Sequence, residues 1–152
     1  NGNKTIVESL KENDVFGEIF FPVKTNNELF VIAKEDTEIV YFIYDEISYK
    51  CTRSCKFHEM LNSSLLKLVL NKTISQNVRI ELLTKRTIRE KLQSYFSTLN
   101  VSGMNRTFKI PFSYTDLADY LSVDRSAMMR ELKSLQEEGF INRDGNKITL
   151  KY

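Results

Sequence analysis

The sequence predicts an α+β chain in three parts: strands, then long helices, then a small helical unit closed by a hairpin. Three observations lead there. Residues 1–45 gather β-branched and aromatic side chains into short runs bounded by Asn, Asp, Gly, Pro or Lys. The span from Glu46 to Leu99 holds neither Gly nor Pro and repeats its apolar residues at helical spacing. From Pro111 onward, two helical patterns stand three residues apart and an alternating segment follows them.

Four strands are expected first: Thr5–Leu10, Val15–Phe21, Glu28–Ala33 and Glu38–Tyr44. Strands at this spacing suggest part of an antiparallel sandwich or barrel, although a jelly-roll uses about eight. Tyr41, Phe42 and Tyr44 suit the core of such a sheet better than an aromatic ligand cage. Leu61, Leu65, Leu68 and Val69 then recur at helical spacing, and Ile74, Val78 and Leu82 continue the pattern past Lys72 and Ser75. A helix from about Asn62 to Leu83 would be roughly 30 Å long. That exceeds what one small core covers, so a partner helix from another subunit is expected against Leu61, Leu65, Leu68, Val69, Val78 and Leu82. Packing wholly within the chain stays open as the alternative. Thr87–Leu99 reads as a further helix, with Thr87 and Glu90 at capping-box spacing. Asn100–Asn105, containing Ser102-Gly103, is the expected linker. The domains are therefore set at residues 1–60, 61–99 and 100–152.

In the last part, Ser113 followed by Asp116 is a helix-start signal, and Leu117, Ala118 and Leu121 give that helix its buried stripe. Ser122-Val123-Asp124 is the turn, with Asp124 placed to cap a second helix from Arg125 to about Glu138. Gly139 stops it at a C′ position. On a wheel, Met128, Leu132 and Leu135 fall within an arc of about 60°, while Arg125, Ser126, Met129 and Arg130 occupy a separate arc of about 140°. Residues Phe140–Tyr152 form a hairpin around Asp144-Gly145. Helix, tight turn, helix with arginines at its start and trailing hairpin together make a winged helix-turn-helix, which lays one helix in the major groove of double-stranded DNA. Arginine suits that place because its planar fork binds O6 and N7 of guanine together, or clamps a phosphate. Arg143 and Lys147 of the wing lie where phosphate contacts are expected.

Charge follows the same division. Residues 1–61 hold seven Lys/Arg against eleven Asp/Glu, and residues 62–152 hold fifteen against nine. An acidic half beside a basic half points to a polyanion met by the second half alone. No apolar run approaches the roughly 18 residues that span a bilayer, so no membrane role is expected. The first residues lack the apolar stretch of a signal peptide, and Cys51 and Cys55 make no disulfide framework, which points to the cytoplasm. The chain does not begin with Met, which suggests a fragment. Cys51, Cys55 and His58 offer three soft ligands where a tetrahedral zinc or iron–sulfur site wants four, so helix packing is preferred and no metal or cofactor is expected. An enzyme is not expected either: His58 is the single histidine, no glycine loop cradles phosphate, and Asp116 and Asp119 lie on a surface helix.

These residues resemble the Crp/Fnr family of bacterial transcription regulators over nearly the whole chain. Ser113–Lys151 looks like its helix-turn-helix and wing, and Thr87–Phe96 like the helix leading into it, with Lys91-Leu92 where the family commonly has Arg-Leu. Asp14-Val15-Phe16-Gly17-Glu18 is similar to the glycine–glutamate turn of the cyclic-nucleotide-binding barrel, and Val31–Tyr49 to its closing strands and following helix. The resemblance implies a partial jelly-roll with the first three or four strands missing, a homodimer paired through the long helix, and a pseudo-palindromic operator. It also implies RNA polymerase as a partner and a small-molecule effector. Arg125 and Arg130 match two DNA-contacting arginines, with Ser126 where many members have Glu. Cyclic-nucleotide binders carry Arg and then Ser or Thr at the phosphate; the matching positions here are Asn27 and Glu28, so an effector-site remnant of Gly17, Glu18, Asn27 and Glu28 is not expected to hold cAMP or cGMP. A winged-helix module that binds protein rather than DNA is the alternative from another class.

Overall fold

The uninterrupted helical run becomes two consecutive helices in the computed structural model, which describes residues 5–17, 29–43, 55–100 and 106–151. Helix α1 spans Lys56–Thr84 and α2 spans Ile88–Leu99. The first starts before the expected Asn62, and its 29 residues make it roughly 43 Å long at about 1.5 Å per residue. Thr87 ends the break between them. Its hydroxyl accepts the Glu90 amide, and the Glu90 carboxylate accepts the Thr87 amide in return. That exchange satisfies two amides which a helix start leaves open. The Thr87 amide first, and then the Thr87 hydroxyl, hold the Glu90 carboxyl below its usual range.

The chain divides into two units, residues 1–9 with 73–152, and residues 10–72. The sequence anticipated strands in the amino-terminal part. Residues 5–17 and 29–43 instead carry no strand, and Phe30, Ile32, Tyr41 and Phe42 are largely exposed. β-Branched and aromatic content favours extended backbone, but a strand exists only where a neighbour closes its hydrogen-bond ladder. The jelly-roll part of the expected fold is thus absent among the described residues. The rest of those four segments, within residues 18–28 and 44–54, lies outside them.

The first unit holds the core. After α2 come β1 (Thr107–Lys109), α3 (Tyr114–Leu121), α4 (Arg125–Glu137), β2 (Ile141–Asp144) and β3 (Lys147–Leu150). The three strands form an antiparallel sheet in the order β1-β3-β2. Leu92 and Phe96 of α2, Leu117 and Leu121 of α3, Met128, Leu132 and Leu135 of α4, and Ile148 of β3 are all fully buried in one cluster. Aromatic rings extend it: Tyr120 stacks on Phe112 at 5.0 Å and Phe96 meets Phe108 at 5.7 Å. Burial of the Tyr95 phenol among these rings raises its pKa, and its hydroxyl finds no hydrogen-bond partner among the described residues.

Ends and turns follow from single residues. Ser113 caps α3 and Asp124 caps α4, each accepting the amide three residues on. Gly139 adopts φ +78, and the Phe140 and Gly139 amides return to the Leu135 and Gln136 carbonyls. That is a Schellman motif, and it is the stop expected at this glycine. The hairpin turn is displaced by one residue from the expected Asp144-Gly145. Asp144 pairs with Lys147 in the ladder, so the loop is Gly145-Asn146, with positive φ at Gly145. A two-residue loop of this pattern matches the twist of its strands.

Candidate nucleic-acid interface

Helix α4 has two faces of opposite character. Met128, Leu132 and Leu135 point inward and are at most 1% exposed. Arg125, Ser126 and Arg130 are exposed on the other side. Neither arginine has an acidic partner among the described residues, so both guanidinium groups stand ready for an anion or a base edge. Met129 does not share that freedom. It is half-buried and packs against the core, which removes much of its side chain from the outer face where the wheel had placed it. The Asp124 carboxylate accepts the Ala127 amide at 2.7 Å and holds the start of the helix.

The back of α4 is tied to α2 by a residue that sequence reading missed. Arg89 donates to the Glu131 carboxylate, to the Ser134 hydroxyl at 3.2 Å, and to both oxygens of Glu138, one at 2.8 Å. Hydrogen bonds from Arg89 and then Ser134 hold the Glu138 carboxyl at about 2, well below the usual range. Lys91 donates to the Leu121 carbonyl at 3.0 Å and satisfies the end of α3. Arg79 of α1 lies 4.3 Å from the centre of the Tyr120 ring. Nothing local marks these partners, because Arg89 and Glu138 are separated by 49 residues.

The wing is joined to the same platform. Arg143 is half-buried, with its guanidinium 5.5 Å from the centre of the Tyr114 ring. Lys147 is exposed and faces Lys109 across the β1–β3 register. Strand β1, which sequence reading did not anticipate, therefore adds a lysine beside the wing. Arginines on an outward helix face, with cations on an adjoining hairpin, make a surface that can hold a phosphodiester backbone and touch base edges.

Residues 61–152 match the Crp-like helix-turn-helix domain. The chain belongs to the Crp-like helix-turn-helix family. A protein named "Probable transcriptional regulator flp" from Lacticaseibacillus casei is 33% identical over 64 residues, which cover 42% of this chain and 29% of that protein. "Transcriptional activator protein FnrL" of Cereibacter sphaeroides is 26% identical over 112 residues, covering 64% of this chain and 45% of that one. The structure of FixK2 from Bradyrhizobium japonicum shares the fold, with a TM-score of 0.54 at 19% identity, over 61% of this chain and 48% of that one. The chain spans less than half the length of each of these relatives. In Crp-like terms α3 and α4 are the helix-turn-helix, and β2–β3 is the wing.

The remaining expected sites divide. Of the seam residues on α1, Leu61, Val69 and Val78 are exposed and Leu65 and Leu68 half-buried. Leu82 differs: it is 2% exposed and belongs to the chain's own core, because it lies near the end of α1 where the first unit covers it. Gly17 has φ +92 with nothing among the described residues within 4 Å of an added Cβ, while Glu18, Asn27 and Glu28 lie outside the described residues, as does Cys51. Cys55 precedes α1 and His58 follows on its first turn, with His58 Nδ1 buried and without a hydrogen-bond partner among the described residues. Among the described residues no three His, Cys, Asp or Glu side chains are placed to hold a metal ion. No described helix is long and apolar enough to cross a membrane.

Proposed function

We propose that the chain is a sequence-specific DNA-binding transcription regulator that acts as a homodimer on a pseudo-palindromic operator. One observation carries the reading: Arg125, Ser126 and Arg130 stand on the open face of a helix whose other face is locked into a core. Two such helices about 34 Å apart read half-sites one helical turn apart. Arg143 and Lys147 add phosphate contacts, which set register without reading sequence. The partner subunit joins along α1, where Leu61, Leu65, Leu68, Val69 and Val78 supply the apolar seam and Leu82 is withdrawn from it. In this scheme residues 61–99 pair and connect the subunits, and residues 100–152 bind DNA. Residues 1–60 belong to a sensing part whose effector is not a cyclic nucleotide, and RNA polymerase is the protein partner.

Selection of binding sites from random duplexes with the full chain tests this. Enrichment of an inverted repeat, with affinity falling steeply as salt rises, is the expected result. No enrichment together with flat salt dependence would instead fit a protein-interaction module. Micromolar binding of cAMP or cGMP by calorimetry would overturn the effector assignment.

A further inference from the structure

The wing's arginine is not held by its own hairpin alone. Tyr114, the first residue of α3, donates its phenolic hydrogen to the Gly145 carbonyl in the hairpin turn, across 31 residues of sequence. The same ring lies beneath the Arg143 guanidinium. Two further bonds seat the turn on the segment before α3: the Ile110 amide donates to the Asn146 carbonyl at 2.8 Å, and the Asn146 side chain donates to the Phe112 carbonyl at 3.4 Å. Arg143 has no acidic partner among the described residues, so the aromatic face is what fixes its direction.

We infer that Tyr114 is a positioning residue for the wing: its hydroxyl anchors the turn, and its ring presents Arg143 to a DNA phosphate. The inference rests on the DNA-binding reading above. Its physical basis is preorganisation. A free arginine loses rotamer freedom when it meets a phosphate, whereas one already laid on a ring loses less. A cation over an aromatic face keeps its charge, and its N–H edges stay open to an anion. The helix-turn-helix and the wing then meet the backbone as one surface.

The test measures binding of the full chain to a short random-sequence duplex across a range of salt. The chains compared are wild type, Arg143→Ala, Tyr114→Phe, Tyr114→Leu and the double variant Tyr114→Leu/Arg143→Ala. Each lost phosphate contact lowers the slope of log affinity against log salt by about 0.9. Arg143→Ala should lose that amount per subunit, and Tyr114→Leu should lose most of it. The double variant should be no weaker than Arg143→Ala alone. Tyr114→Phe keeps the ring and loses only the hydrogen bond to the turn, so its affinity should fall by about two- to tenfold. Because Tyr114→Phe preserves the packing, it carries the test if Tyr114→Leu melts early. Independent, multiplying losses in the double variant would overturn the inference, as would a Tyr114→Phe chain with wild-type affinity and slope, while leaving DNA binding itself standing. A flat wild-type salt profile overturns both.

Discussion

Asp124 is placed so that one atom separates its two roles. Its carboxylate accepts the Ala127 amide at 2.7 Å, and its charge sits one residue before Arg125 on the face proposed to meet DNA. Asp124→Ala removes both. Losing an N-cap of this kind costs about 1 kcal/mol, and for a cooperative unit of this size that lowers the melting temperature by roughly 4–8 °C. Asp124→Asn keeps an acceptor oxygen at the same reach and ranks equal as a cap, so it should melt within a degree or two of wild type. A small loss remains, because the positive end of the helix dipole favours an anion there. On DNA the order reverses: removing one exposed carboxylate beside the phosphates should strengthen binding by on the order of twofold to fivefold. Circular dichroism melts and duplex titration at fixed salt read the two effects. An Asn variant that melts as low as Ala, or that binds DNA more weakly than wild type, refutes the reasoning.

Arg130→Ala should lose about 1–3 kcal/mol at one base position of the selected operator while Lys147→Ala weakens all sequences alike; unchanged selectivity in the first variant counts against the assignment. Gly139→Ala forces a side chain into the left-handed region at φ +78, which should cost about 1–2 kcal/mol in chemical denaturation. The Glu138 carboxyl is held at about 2 against an ordinary value of 4.5. A depressed carboxylate contributes stability that is fully present above the ordinary value and disappears as pH falls toward the lower one. Melting temperatures of wild type and Glu138→Gln should therefore differ at neutral pH and converge as pH falls through that window. Parallel curves would show that the Arg89–Glu138 contact contributes nothing.

Local signals were legible wherever the deciding contacts are local. The caps at Thr87, Ser113 and Asp124, the stop at Gly139 and the inward stripe of Met128, Leu132 and Leu135 each depend on residues within a turn or two, and all stand in the structure. Pairings across long stretches were not legible. Strand β1 is three residues defined by its register with β3, about forty positions away. Separations of 49 and 31 residues hid Arg89 and Tyr114, whose partners lie on other elements. Hydrophobic spacing also misassigned Leu82, since periodicity marks an apolar face without saying what covers it. The amino-terminal segments show the reverse case, with strand-like composition but no ladder among the described residues.

Arg89 grips Glu131, Ser134 and Glu138 on one side of α4, while positions 125, 126 and 130 are exposed on the other. Substitutions at outward positions of that kind usually alter stability by no more than about half a kcal/mol. On the proposed DNA-binding reading, descendants of this chain retarget by changing three side chains, with little risk of unfolding along the way.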